Sequence, residues 1–174
     1  MNIAQYQRIM LIGNNGSGKS HMARKLAAIM GLPLIHLDRE FWQPNWEMPT
    51  REEWEARNRR FVAGKQWIID GMCRHGDTMA LRYAAAELVI ILDINRFVCL
   101  AGVIKRAGKP REDMPPYLWN SRGPRFLRLC KRALLFNTEV VFQPLREAYP
   151  KTPVLVIRSR REMNRLLNQW RTQF

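Results

Sequence analysis

Two hydrophobic periodicities take turns along this chain of 174 residues. Short apolar runs bounded by turn residues read as strands, and between them apolar positions recur every three or four residues, the spacing of a helix. "RIMLIG", Arg8 to Gly13, is the first run; Met22, Leu26, Ile29 and Met30 then mark one face of a helix from Lys19 to Met30, stopped by Gly31 and Pro33. "LIHL", Leu34 to Leu37, predicts a second strand, followed by a loop, "DREFWQPNWEMP". Thr50 with Glu53 three residues on is a capping box that opens a helix running to about Ala63. "WIID", Trp67 to Asp70, is a third strand, and residues 72 to 86 read as mixed loop and helix. "ELVIILD", Glu87 to Asp93, is apolar without alternation, as expected of a parallel strand buried on both faces. Beyond it the pattern predicts a helix from Arg96 to Arg106, a loop from Gly108 to Pro124 with four prolines and two glycines, and one long helix from Arg125 to Val141. A strand "VLVI", Val154 to Ile157, and a helix from Glu162 to Trp170 complete the chain. Five strands separated by helices predict an α/β fold with a mostly parallel sheet and right-handed crossovers.

Length and composition limit the possibilities. A chain of this size suits a single domain, with 108 to 132 as the one segment able to form a mobile lid. Hydrophobic residues at 47% and charged residues at 25% are those of a packed globular protein rather than a disordered one. No apolar run is long enough to span a bilayer or to form a signal-peptide core, so the expected compartment is the cytoplasm and no membrane partner is expected. Cys73, Cys99 and Cys130 have neither disulfide nor metal-site spacing.

Charge changes the picture. The net charge of +14 implies an anionic partner, and ten basic residues against Glu112 and Asp113 lie between Arg96 and Arg132. Nucleotide phosphates, nucleic acid and, ranked third, an anionic membrane face are compatible with that surplus.

Residues Gly13, Asn14, Asn15, Gly16, Ser17, Gly18, Lys19 and Ser20, "GNNGSGKS", match G-x-x-x-x-G-K-[ST] at each fixed position, with a strand before and a helix after. Glycines let backbone N–H groups converge on phosphate oxygens, Lys19 reaches the terminal phosphates, and the Ser20 hydroxyl is a Mg²⁺ ligand. The expected ligand is a nucleoside triphosphate. ATP is favoured over GTP because no N-K-x-D element for guanine occurs. In an open parallel sheet, ligands gather at the carboxyl ends of the strands, where Asp38, Asp70 and Asp93 lie. Phosphoryl transfer needs one carboxylate beside hydrated Mg²⁺, a role open to Asp70, and another to orient or deprotonate the acceptor hydroxyl, open to Asp38. Asp93 reads as a cap on the following segment.

The remaining candidates admit two readings each. Trp42 and Trp46 either stack an acceptor base or pin their loop to the core. Arg125, Arg128 and Arg132 share one helical face, which is either a solvated basic surface or part of a closing lid, to which Arg106, Arg111 and Arg122 also belong. His36, alternating with Ile35 and Leu37, reads as a satisfied histidine rather than a metal ligand. No Ser-His-Asp or Cys-His pattern suggests covalent catalysis.

The order "GNNGSGKS", "HLDREFWQPNW", "WIIDGM", "LRYAAAELVIILD", "KRAGKPREDMP" resembles the bacterial DNA topology modulation proteins, a group of adenylate-kinase-like P-loop proteins, over roughly Arg8 to Pro115. This chain departs from the group at Met72, Cys73 and Arg74 and again after Pro115. The resemblance implies a three-layer P-loop fold of the nucleoside and nucleotide kinase kind, with strand order 2-3-1-4-5. It also implies ATP with Mg²⁺ and phosphorylation of a small acceptor such as a nucleoside or nucleotide. By the same resemblance Asp38 and Arg39 belong to the acceptor site, Asp70 to the Mg²⁺ side, and Arg82 to acceptor phosphate. Lys19, Asp38 and a lid arginine such as Arg106 are then the catalytic residues. The alternative is an ATPase that binds DNA or RNA through the basic residues of 96 to 132.

Overall fold

The computed structural model describes residues 1–73, 75–110, 114–116 and 123–174. Strands β1 (Arg8–Gly13), β2 (Leu34–His36), β3 (Trp67–Asp70), β4 (Leu88–Leu92) and β5 (Val154–Ile157) form one sheet in the order β2-β3-β1-β4-β5, every pairing parallel. Helices α1 (Lys19–Met30), α3 (Arg51–Ala63), α4 (Thr78–Ala85), α5 (Arg96–Arg106) and α8 (Arg160–Arg171) lie where the periodicity predicts helix.

The sheet is buried on both faces, which explains the unbroken apolar runs. Successive side chains of a strand point to opposite faces. Ile9 and Leu11 of β1 therefore enter one core with Ile68, Leu88, Ile90, Met22, Leu26 and Trp170, whereas Met10 and Ile12 enter the other with Ile69, Val89, Ile91, Trp54 and Phe142. β1 occupies the centre, and the residues Ile9 to Ile12 are wholly inaccessible to solvent.

Two elements differ from the expectation. The loop after β2 begins as a short helix, α2 (Leu37–Phe41), because Leu37 and Phe41, four residues apart, both reach the core. The long helix predicted from Arg125 to Val141 is two helices, α6 (Pro124–Leu135) and α7 (Thr138–Ala148). Asn137 makes the break: its side chain accepts from the N–H groups of Glu139 and Val140 and caps α7. Among the described residues, no helix is long and apolar enough to cross a membrane.

Candidate active site

The site begins where β1 ends. Residues 14 to 18 turn sharply, and α1 starts at Lys19 with Gly18 (φ 101°) before it and no side chain capping its first N–H groups. Uncapped N–H groups at a helix N-terminus are a ready seat for an anion. The turn is held from three sides. The Asn14 amide donates to the Ala133 carbonyl (2.7 Å), tying the loop to α6, and the Arg160 guanidinium donates to the Gly16 carbonyl (2.9 Å). At Gly16 (φ 81°) an added Cβ would lie 2.0 Å from the Cys99 carbonyl oxygen, so α5 rests directly on the loop backbone. Lys19 is 7% exposed, and its side chain lines the adjoining cavity.

The acids divide in role. Asp70 pairs in register with His36 across β3 and β2, and the His36 Nδ1 lies 2.9 Å from Asp70 Oδ2. Asp70 Oδ1 is buried and has no partner among the described residues. A carboxylate with one oxygen held and the other spare, beside a P-loop, fits a group that assists a hydrated cation. Among the described residues, no three His, Cys, Asp or Glu side chains cluster as a metal cage. Asp93 accepts from the Thr138 hydroxyl at the start of α7, and the helix that follows it, α5, is capped by Asn95, so Asp93 joins two distant segments instead of capping the next one.

Asp38, at the start of α2, faces a cavity of about 850 Å³ shared with Asn15 and Lys19 of the P-loop. Its walls are Phe41, Trp42, Met72, Cys73 and His75 on one side and Arg128, Lys131 and Arg132 of α6 on the other. Burial pushes the Cys73 thiol up to about 11, against the pull of a His75 backbone contact and the Arg82 charge, which favours the neutral thiol at this cavity wall. A neighbouring cavity of about 440 Å³ also includes Asn15 and Asp38, with Trp46, Arg106 and Arg125.

Thus the structure brings Lys19, Asp38, Trp42 and Arg106 around connected space. Ser20, Arg39, Asp70 and Arg82 line neither of these two cavities. Arg39 is exposed, and Arg82 is wholly buried, donating to Asn58 Oδ1 and to the carbonyls of Met72 (3.0 Å) and Cys73 (2.9 Å). Desolvation brings its guanidinium down to about 10, still a cation at neutral pH. Its visible work is to hold the strand-to-helix loop whose Met72 and Cys73 form the cavity wall. The proposed lid residues Arg111 and Arg122, and Arg74, lie outside the described residues, as do 112, 113 and 117 to 121 of the 108 to 132 segment.

No family model matches the chain, and no curated protein matches it in sequence. Solved structures do match in shape. A shikimate kinase from Acinetobacter baumannii in complex with shikimate superposes with a TM-score of 0.60 at 14% identity, covering 95% of this chain and 91% of that one. A gluconokinase from Sinorhizobium meliloti 1021 gives 0.54 at 15% identity over 96% and 90%, and a sugar kinase from Janibacter sp. HTCC2649 gives 0.52 at 19% over 96% and 93%. The fold is that of the small P-loop kinases. None of these kinases carries a DNA-topology name, so that part of the sequence resemblance has no counterpart among them.

Three contributors to the candidate site escaped sequence reasoning. The His36–Asp70 contact had a signal, since both residues end apolar strands, but only the pairing of β2 with β3 makes them neighbours. Arg160 reaches Gly16 across 144 positions of chain, and nothing local in "RSRRE" marks it. Lys131 was one more charge on a basic helix until the packing of α6 turned it to the cavity.

Proposed function

We propose that the protein is an ATP-dependent phosphotransferase acting on a small hydroxylated acceptor, a nucleoside, nucleotide or similar metabolite. The observation that carries this reading is the single cavity lined by both Lys19 of the phosphate-binding loop and Asp38 at the start of α2. Neighbours of the same fold bear the names of shikimate, gluconate and sugar kinases, which supports a small-molecule acceptor. The motif order that resembles adenylate-kinase-like proteins supports the same class.

In this reading Gly13 to Ser20 cradle the ATP phosphates with backbone N–H groups and the dipole of α1. The Lys19 ammonium, held in a largely dehydrated position, neutralises charge on the terminal phosphates, where low local dielectric makes it more effective than in water. Ser20 and Asp70 would hold Mg²⁺, which supplies charge neutralisation and alignment of the phosphate oxygens. Asp38 accepts the hydrogen bond of the acceptor hydroxyl and orients its oxygen for in-line attack. Arg39 and Trp42 flank that position on the same segment, and Arg82 serves it by fixing the Met72–Cys73 wall. Arg106 at the end of α5, with the arginines of α6, screens the phosphoryl group in transfer and excludes water that would hydrolyse ATP.

The test is ADP release from Mg·ATP with a panel of nucleosides, nucleotides, sugars and hydroxy acids, with Lys19→Ala as the blank. One small molecule should raise turnover and gain the phosphate. Full activity of Lys19→Ala, or stimulation by nucleic acid alone, would overturn the reading.

A further inference from the structure

We propose that Arg160 is a positioning residue for nucleotide binding: it holds the Gly16 carbonyl away from the phosphate seat and so keeps the glycine-rich turn shaped for the triphosphate, without touching the nucleotide itself. This deepens the phosphotransferase reading and rests on its nucleotide-binding half. A loop that seats phosphate on backbone N–H groups must turn its carbonyl oxygens elsewhere, because an inward carbonyl would face the negative charge of the ligand. In a trans peptide the carbonyl of one residue and the N–H of the next point to opposite sides. Fixing the Gly16 carbonyl therefore fixes the Ser17 N–H as well. That carbonyl accepts from Arg160 Nη2 at 2.9 Å, while the Ser17 N–H makes only a long bond of 3.3 Å to the Asn14 carbonyl.

The same oxygen is crowded by α5. A Cβ at Gly102 would lie 2.6 Å from the Gly16 oxygen and 2.8 Å from Arg160 Nη2, so a glycine in α5 leaves the room in which guanidinium and carbonyl meet. Arg160 also reaches the Val98 carbonyl of α5, at 3.5 Å. No acid neutralises it: among the described residues no carboxylate pairs with Arg160, whereas Arg8, Arg51 and Arg146 each have one. A donor that keeps its charge makes a stronger bond to a carbonyl than a neutral one. Arg160 stands in the first turn of α8, where the helix dipole disfavours a cation, and that turn is firmly made. Ser159 Oγ accepts from the Glu162 N–H (3.1 Å), and Glu162 Oε2 accepts from the Arg158 N–H (2.8 Å). One turn on, the buried Met163 lies 3.8 Å from where a Gly18 Cβ would stand. The start of α8 thus supports the loop at Gly16 and at Gly18, and the cation placed against the helix dipole is the one that meets the loop backbone.

The experiment measures, by calorimetry, binding of a non-hydrolysable ATP analogue with Mg²⁺ and of tripolyphosphate, which has neither base nor ribose. It compares the natural protein with Arg160→Met, Arg160→Lys, Gly102→Ala and the Arg160→Met/Gly102→Ala double variant, with melting curves as a check of folding. Arg160→Met should weaken both ligands alike by about tenfold or more, the effect of one charged hydrogen bond, and Arg160→Lys should weaken them less. Gly102→Ala keeps the arginine but crowds the carbonyl it holds, and should also weaken both ligands. In the double variant the two losses should not add, since both act on one oxygen. In turnover assays the loss should fall on the KM for ATP and not on the KM for the acceptor. A loss confined to the ATP analogue places Arg160 on the base or ribose, full additivity places it directly on the phosphates, and unchanged binding by folded Arg160→Met leaves the contact purely structural; each overturns the proposal. Binding results as expected without transfer to any acceptor overturn the phosphotransferase reading and leave the role of Arg160. Natural protein that binds neither ligand overturns both.

Discussion

Individual residues carry opposite risks in this site. Asp38 is replaceable without harm to the fold, being half-buried at a cavity edge, so Asp38→Asn should leave nucleotide affinity nearly unchanged and lower acceptor-dependent turnover by about 10²–10⁴-fold, the range for a lost general base. Calorimetry with an ATP analogue beside steady-state kinetics separates the two; equal loss of both would place Asp38 on the nucleotide side. Gly16 is the reverse case. A methyl group there meets the Cys99 carbonyl at 2.0 Å in a backbone conformation at φ 81°, and the neighbour is main chain that has no other rotamer to adopt. Gly16→Ala should therefore cost about 1–3 kcal/mol, with about 2–4 °C of Tm per kcal/mol for a domain of this size, and should weaken nucleotide binding as α5 and the loop separate. An unchanged melting curve would show that α5 yields easily.

Elements are joined here by side chains at their ends. Asn137 separates α6 from α7 by capping the start of α7; Asn137→Ala should remove the cap at about 0.5–2 kcal/mol, visible as a lowered Tm. Glu87 joins the starts of β1 and β4. Burial pushes its carboxyl up, but N–H bonds from Gln7 (2.7 Å) and Arg8 (3.2 Å) and the Arg8 guanidinium (3.1 Å) outweigh it, and the net effect holds the group below the ordinary carboxylate value. A carboxyl lowered by folding adds stability that is complete above its unfolded value and is lost as pH falls through the folded one. Urea midpoints of the natural protein should therefore fall more steeply below about pH 4.5 than those of Glu87→Gln; parallel curves would remove Glu87 from the acid limb.

Over the whole molecule, the charge of +14 is real but unevenly used. Part of it faces the cavities through α6 and Lys19, inside a fold shared with small-molecule kinases. A protein that uses its arginines this way should bind duplex DNA only as a diffuse polycation, with affinity falling steeply as salt rises and no rise in ATP turnover. DNA-stimulated hydrolysis at physiological salt would favour the ATPase alternative instead.

What the sequence by itself determined is what short-range physics dictates. Short apolar runs between turn residues placed five strands, and the P-loop spacing placed a glycine-rich turn between the first strand and a helix, since each depends on neighbours within a few residues. The capping box at Thr50 was legible for the same reason. The tertiary structure alone decided the contacts made across the fold: His36 on Asp70, Arg160 on Gly16, Asn14 on Ala133, and the inward turn of Arg82. It also decided that Arg128, Lys131 and Arg132 look into a cavity rather than only into solvent. A basic helix has the same local pattern in both settings; which face is covered depends on what packs opposite, and that partner lies far away in the chain.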